Sequence, residues 1–167
     1  MKYLTILLGL LASISLTAAS VHGGEHEQIG VIEATNLQAD GQKAQQEKRA
    51  IMLLVSQEHC GFCVQIKQEV IGPMIKSRAY ENRLIIRELL LDTGSDVIDF
   101  RGVRRESHDF SYDYKVSLTP TLLFLDANGN ELVEKMVGIQ TPDMFYYYVD
   151  QSVQAAIGSL DKQIKAK

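Results

Sequence analysis

The sequence predicts an α/β fold in which a central mixed sheet is flanked by helices. Two apolar runs of strand length, Ile51 to Val55 and Leu84 to Leu91, are separated by a segment with a helical pattern. This order predicts two parallel strands joined by a right-handed crossover. Further along, Asn128-Gly129 separates two more strand candidates and predicts an antiparallel hairpin.

The first twenty residues have the pattern of a secretory signal peptide. Lys2 is followed by an apolar run from Leu4 to Leu16 and by small residues, which suit cleavage near Ala19 or Ser20. The run has about 13 residues, whereas a membrane-spanning helix needs roughly 20. We therefore expect export to the periplasm rather than an uncleaved anchor, with no stable membrane span after signal removal.

The remaining chain is expected to form a flexible leader, residues 21–30, and a single domain, residues 31–167. Loss of Lys2 with the signal peptide changes the formal charge from −4 to −5. This acidic balance does not favour nucleic acid as a partner. A domain of this length can bury a core without disulfides, so an exported chain with a single closely spaced cysteine pair favours a chemical use of that pair.

The first half of the domain contains two helical segments around the first strand. The polar segment from about Ile32 to Arg49 predicts a weakly amphipathic helix interrupted near Gly41. A second helix follows Cys60, and Gly72-Pro73 is expected to break it, with Pro73 starting a short helix that ends near Tyr80. The second apolar strand is closed by Asp92.

The second half begins with a polar insert, residues 93–106, which predicts a solvated loop with a small strand rather than an anion-binding patch. Ser107 is expected to cap a helix that ends at Tyr114. The hairpin strands are predicted from Thr121 to Asp126 and from Glu131 to Val137, with Gly138 ending the second.

A final helix is predicted from Thr141-Pro142-Asp143 onwards, with Thr141 as its cap. Tyr148 belongs to an apolar stripe that is expected to pack on the sheet, which leaves Tyr146 and Tyr147 for the surface. The stripe consists of Phe145, Tyr148, Val149, Val153, Ala156, Ile157 and Leu160.

The run Glu58-His59-Cys60-Gly61-Phe62-Cys63 holds the only two cysteines of the chain. If Cys60 opens a helix, Cys63 follows one turn later, about 5–6 Å away, which allows the two sulfurs to bond. The positive end of the helix, roughly half a charge, favours a thiolate on Cys60. We therefore predict that Cys60 attacks disulfides and that the more buried Cys63 resolves the mixed disulfide.

Two other interpretations of the cysteine pair are less favoured. Structural zinc needs four ligands, but the chain offers one cysteine pair and four scattered histidines, His22, His26, His59 and His108. No metal and no cofactor are therefore expected. An inert stapling disulfide would close so small a loop that it would constrain the unfolded chain very little.

The order of these parts resembles the thioredoxin fold over residues 36–157. The resemblance depends on the dithiol after the first core strand and on Leu118-Thr119-Pro120-Thr121 some 60 residues later. It implies a cis peptide bond at Pro120 and pairing of the Thr119 backbone with an extended substrate beside Cys60. His59, Gly61, Phe62 and Glu58 would then be modulators of the dithiol.

Within this superfamily the chain looks most like exported SoxW-type thioredoxins. The shared phrases are Leu37-Gln-Ala-Asp40, the cysteine motif, Tyr114-Lys115-Val116 and Thr119 to Phe124. The resemblance implies a periplasmic thiol reductase linked to sulfur-compound oxidation. It also implies disulfide-containing exported proteins as substrates and a membrane electron donor of the DsbD/CcdA type.

Some positions differ from the usual thioredoxin pattern. His59 and Phe62 stand where Trp and Pro are typical, and Leu54 stands where a buried acid usually accepts the proton of the second cysteine. Glu58 or water could replace that acid. The apolar Phe62 favours a reductant first, with a disulfide isomerase or oxidase of the same fold as the alternative and a redox-inert binding or metal-carrier module as a third interpretation.

Overall fold

The computed structural model describes residues 30–166. Its central sheet has four strands in the order β2-β1-β5-β6, in which β1 and β2 are parallel and β5 is antiparallel to both of its neighbours. The helices are α1 (Leu37–Glu47), α2 (Gly61–Ile66), α3 (Gly72–Ser77), α4 (Ser107–Asp113) and α5 (Phe145–Lys165), and the strands are β1 (Ala50–Ser56), β2 (Leu84–Leu90), β3 (Asp96–Ile98), β4 (Arg104–Glu106), β5 (Thr121–Leu125) and β6 (Met136–Val137). This architecture is the thioredoxin fold, as expected from the sequence.

The strand β1 lies at the centre of the sheet and is buried along its whole length. Met52 and Leu54 point to one face, where they pack with α2, α3 and α5. Ile51, Leu53 and Val55 point to the other face, where they pack with α1 and α4. Both faces are covered by helices, which explains why this strand is a continuous apolar run rather than an alternating one.

The first helix is shorter than expected and is not interrupted. It begins after Asn36, whose side chain accepts a hydrogen bond from the Ala39 N–H at 2.9 Å. The preceding residues run beside β2, where the Glu88 N–H donates to the Ile32 carbonyl. Gly41 lies inside the helix and does not break it. A Cβ atom at this position would approach the Ala127 carbonyl oxygen to 2.4 Å, so glycine permits the close packing.

The helix after Cys60 does not break at Gly72-Pro73. A π-helical segment, Lys67–Ile71, joins α2 to α3 without interruption, and the Gly72 N–H donates to the Lys67 carbonyl five residues back. A wide turn of this kind tolerates the missing N–H of Pro73. The helix ends at Ser77, earlier than expected, and Arg78 follows in the left-handed conformation.

The polar insert contains the small antiparallel pair β3–β4, and Val97 and Asp99 within it are buried, so it is more ordered than the solvated loop with a small strand or turn that was expected. Ser107 is the first residue of α4 rather than its cap, and its hydroxyl donates to the Ser95 carbonyl at 2.9 Å. Tyr114, after this helix, donates to the Gly129 carbonyl, and burial raises the pKa of its phenol. The insert and α4 are therefore tied to the core by buried polar contacts.

The hairpin differs from the expectation in its turn and its second strand. Gly129 has a positive φ of 84°, but Asn128 does not, because Asp126 accepts hydrogen bonds from the Asn128 and Asn130 N–H groups. The second strand is reduced to β6, preceded by a single bridge at Glu131. Gly138 ends it, as expected.

The last helix begins with a 3₁₀ turn, Pro142–Met144, and Thr141 makes no side-chain cap. The expected apolar stripe is largely buried, except that Tyr148 is 44% exposed. Tyr148 lies beside the short strand β6, which forms the edge of the sheet in the described residues. The prediction that Tyr148 is a core residue is therefore wrong, and all three consecutive tyrosines are exposed.

The predicted signal peptide, residues 1–20, and nearly all of the predicted leader lie outside the described residues. Between residues 30 and 166, none of the helices combines the length and apolar character that crossing a membrane requires.

Candidate active site

The two cysteines lie where the central strand passes into the long helix. Cys60 is the N-cap of α2, and Cys63 lies in the first turn. They form a disulfide with Cα atoms 5.2 Å apart. Cys60 is partly exposed, whereas Cys63 is fully buried, so solvent and partners reach the sulfur of Cys60 first.

The sulfur of Cys60 faces the backbone of the first helical turn. The Cys63 N–H donates to Cys60 Sγ at 3.1 Å and also to the Cys60 carbonyl at 3.0 Å. An N–H group directed at sulfur stabilises negative charge on it, as does the positive end of the helix. The local backbone therefore favours the thiolate of Cys60 in the reduced state.

The other motif residues surround the dithiol on the outside. Glu58, His59 and Gly61 are exposed, and the Phe62 ring is 63% exposed. The Glu58 N–H donates to both oxygens of Asp92, at 3.0 and 3.1 Å, which ties the loop before Cys60 to the end of β2. An exposed ring beside a dithiol offers an apolar surface to a partner.

The segment around Pro120 lies against Cys60. The peptide bond between Thr119 and Pro120 is cis, as the resemblance predicts. The Thr119 hydroxyl lies 3.7 Å from Cys60 Sγ and 2.8 Å from Gln57 Oε1, so its proton can be donated to either acceptor. Fifty-nine residues separate Thr119 from Cys60 in the chain, and the fold brings them together.

No role was predicted for Leu118 or Gln57, although Leu118 belongs to the segment expected beside Cys60. Leu118 is 61% exposed next to Thr119 and adds a second apolar side chain at the site. Gln57 accepts the hydroxyl proton of Thr119. Gln57 precedes Cys60 closely in the chain, but its contact with Thr119 depends on the tertiary fold, so no local pattern reveals it.

Beneath the helix, a buried acid lies on β2 rather than on β1. Leu54, six residues before Cys60, is fully buried, and its neighbour in the parallel register is Glu88. Glu88 is 6% exposed and accepts hydrogen bonds from the Ser56 hydroxyl at 2.5 Å and from Lys67 Nζ at 2.8 Å. A sequence signal existed, because Glu88 is an acid within an otherwise mostly apolar strand candidate.

Residues 37–152 match the family described as a thioredoxin-like domain. The chain belongs to this family. The matched part includes the dithiol, the cis-proline segment and the beginning of α5. No sequence among curated proteins matches the chain.

Solved structures share the fold at low sequence identity. A structure described as DsbH oxidoreductase has 15% identity and a TM-score of 0.56, covering 86% of this chain and 95% of its own. A thioredoxin from Thermus thermophilus has 24% identity and a TM-score of 0.52, covering 73% of this chain and 87% of its own. A thioredoxin from Fasciola hepatica has 14% identity and a TM-score of 0.50, covering 74% and 96%.

A thioredoxin-like fold with a bonded Cys60–Cys63 pair at the start of a helix supports thiol–disulfide oxidoreductase activity in general terms. The pair can hold two electrons as a dithiol and release them on forming the disulfide. In the part of the chain that the structure describes, no group of three or more His, Cys, Asp or Glu side chains is placed to hold a metal ion.

Proposed function

We propose that this protein is a periplasmic reductase of protein disulfides, related to the SoxW-type thioredoxins. The observation that carries the proposal is the asymmetry of the disulfide, in which a partly exposed Cys60 is bonded to a fully buried Cys63. An exposed sulfur can reach a disulfide in another protein, and a buried sulfur one turn away can reach only the first.

In the proposed reaction the Cys60 thiolate attacks one sulfur of a substrate disulfide. A Cys60–substrate bond forms, the substrate disulfide breaks, and the released substrate thiolate takes a proton from solvent. Cys63 then loses its proton and attacks Cys60, which forms the Cys60–Cys63 disulfide and releases the second substrate thiol. The substrate gains two electrons and the protein loses two.

The residues around Cys60 support a role in holding the substrate. The backbone at Thr119 and Pro120 would pair with an extended segment of the partner, as in β-strand addition. Phe62 and Leu118 would contact its apolar side chains. Glu58, His59 and Gly61 lie exposed at the entrance to the dithiol and would modulate its reactivity.

The sequence pattern of residues 1–20 supports the periplasmic location. In that compartment the oxidised protein needs a dithiol donor, and the SoxW resemblance supports a membrane carrier of the DsbD/CcdA type. The same resemblance supports a link to sulfur-compound oxidation, with disulfide-containing exported proteins as substrates.

The proposed roles of the two cysteines can be tested by trapping partners. Replacing Cys63→Ala should leave mixed disulfides between Cys60 and exported proteins, visible on non-reducing gels and lost on reduction. The matched variant Cys60→Ala keeps only the buried sulfur and should trap none. Trapping through Cys63 instead of Cys60, or no trapping by either variant, would contradict the assignment.

The direction of electron flow can be tested by the reduction potential of the pair, measured in dithiothreitol or glutathione buffers. A value near or below about −230 mV is expected for a reductant, whereas a value near −120 mV would assign an oxidase. An intermediate value, near −180 mV, would favour the isomerase alternative. A pair that does not cycle would leave a binding or metal-carrier module.

A further inference from the structure

A buried acid, Glu88, lies on the strand next to Leu54. One face of β2 carries residues 84, 86, 88 and 90. Two of them, Leu84 and Ile86, pack in the same cluster as Leu54, on the side of α2. Glu88 therefore lies on the active-site side of the sheet, directly beside Leu54. A buried carboxylate therefore lies one strand away from position 54.

Glu88 is connected to the helix that carries Cys63. Lys67 donates to Glu88 Oε1, and Ser56, at the end of β1, donates to the same oxygen. Lys67 is four residues after Cys63, and its N–H donates to the Cys63 carbonyl, so the two side chains share a helix face about 5–6 Å apart. The side chain of Lys67 thus starts one helical turn from Cys63 on the same helix face, and its ammonium is paired with Glu88 on β2.

Other charged groups near Cys63 lie on the outside of the site or are engaged elsewhere. Glu58 and His59 are exposed in the preceding loop, Asp92 accepts from the Glu58 N–H, and Glu69 is exposed on the helix. On α5, Asp150 accepts from Tyr80 beyond the end of α3. The side chains packed against this helix from the sheet and α5 include the apolar residues Leu54, Leu122, Phe145, Val149 and Val153.

We infer that Lys67 and Glu88 are positioning residues for the resolving step, because their charges set how readily the buried Cys63 thiol loses its proton. This inference rests on the proposed function. The Lys67 ammonium favours the Cys63 thiolate, whereas the Glu88 carboxylate opposes it. In the paired state the two effects oppose each other. Removing the Lys67 charge should make Cys63 less reactive, and removing the Glu88 charge should make it more reactive.

The side chain of Glu88 keeps the ammonium of Lys67 near the helix, and Ser56 holds Glu88. Both hydrogen bonds to Glu88 end on Oε1, and none from the described residues ends on Oε2. Lys67 retains 25% exposure of its side chain, so it can be replaced without opening the core. The helix position therefore allows a charge to be changed with little structural cost.

The test is a single-turnover reaction of the reduced protein with a chromogenic aromatic disulfide, whose two thiolates are released in turn. The first release reports the attack by Cys60, and the second reports resolution by Cys63. In Lys67→Met, the midpoint of the pH profile for the second release should move to higher pH, with resolution about fivefold slower near neutral pH. Lys67→Arg restores the positive charge and should restore the profile.

Glu88→Gln should shift the same midpoint to lower pH, and the double variant Lys67→Met/Glu88→Gln should lie between the single variants. Thermal unfolding of each variant checks that it is folded. If Glu88→Gln does not fold, the comparison of the pH profiles of Lys67→Met and Lys67→Arg decides the question. Equal profiles for Met and Arg at position 67, or shifts of both charge variants in one direction, would overturn the inference.

The same experiment separates this inference from the proposed function. A wild-type protein that releases no second thiolate at any pH would refute the resolving role of Cys63 itself. Two clear releases whose second phase is insensitive to the charge at positions 67 and 88 would refute only the inference about the charge pair.

Discussion

Two buried carboxylates in this protein are satisfied to very different extents. Asp99, in the insert, is 2% exposed and accepts hydrogen bonds from the Arg101 and Val103 N–H groups as well as from the Arg101 guanidinium. Glu88, beneath the active-site helix, is 6% exposed and accepts two, both on one oxygen. Both oxygens of Asp99 are held by the turn around it, whereas the hydrogen bonds from the described residues reach only one oxygen of Glu88.

The difference is also one of location. Asp99 orders the turn between β3 and β4, and Arg105 adds a contact to Asp113 and approaches Asp99. Glu88 joins β2, the end of β1 and the helix of the dithiol. We therefore expect variants of Asp99 to change stability without changing redox chemistry, and variants of Glu88 to do mainly the reverse.

The largest effect is expected for Asp99→Ala, which leaves the Arg101 and Val103 N–H groups without their partner. We expect a loss of about 2–3 kcal/mol in the free energy of unfolding, because each unpaired backbone group costs about 1–3 kcal/mol. Urea denaturation measures it. The matched variant Asp96→Ala removes an exposed ion pair with Arg104 and should cost no more than about 0.5 kcal/mol.

Disulfide reduction by Asp99→Ala should match that of the wild type at a temperature where both are folded. A redox defect in this variant, with stability unchanged, would reverse the comparison between the two carboxylates.

The stabilising effect of Asp99 should depend on pH in a defined direction. Burial alone would raise the pKa of Asp99, but hydrogen bonds from Val103 and Arg101 lower it below its ordinary value of 3.8. A lowered pKa means that the stabilisation is complete above about pH 4 and is lost as the pH falls through the folded-state pKa.

The stability difference between the wild type and Asp99→Ala should therefore be constant from pH 7 to pH 5 and should narrow below pH 4. Urea titrations at several pH values measure the difference. A difference that widens in acid would show that the carboxyl is stabilising in its protonated form.

A smaller effect on stability is expected for Glu88→Gln. The amide oxygen of glutamine can still accept from Ser56 and Lys67, but it loses the charge, so we expect a loss of about 1 kcal/mol. The redox effect inferred above should accompany it. A loss above about 3 kcal/mol without any change in the second thiolate release would make Glu88 a structural residue like Asp99.

The smallest effect on the resolving step is expected for Ser56→Ala, which removes one hydrogen bond to Glu88 and no charge. We expect a loss of about 1 kcal/mol in stability. The pH midpoint of the resolving step should move less than in Glu88→Gln. A shift as large as that of Glu88→Gln would mean that the hydroxyl, rather than the carboxylate charge, controls Cys63.

Features that depend on local sequence could be predicted. The apolar run of β1 and the parallel β1–β2 pair follow from periodicity and order, and the positions of Cys60 and Pro120 follow from motifs. The start of α1 was missed although Asn36 caps it locally. Ser107 was predicted as a cap, but it lies inside α4 and its hydroxyl donates to the distant Ser95 carbonyl.

Features that depend on partners from several elements could not be predicted. Glu88 is significant only because Ser56 and Lys67 reach it, and neither is adjacent to it in the chain. Tyr148 fits the helical stripe, but its exposure depends on how far β6 extends. The sequence pattern predicts which residues share a face of an element, and the neighbouring elements decide what covers that face.

The π-helical segment Lys67–Ile71 constrains which insertions and deletions this chain can tolerate. Ile66 and Ile71 are both buried although they lie five residues apart, a spacing that a regular α-helix would place about 140° apart. Removing one residue here would rotate α3 by about 100° relative to the dithiol, and either Cys63 or Met74 would leave the core. The number of residues between Cys63 and Arg78 is therefore expected to be constant among homologues that keep this buried resolving cysteine.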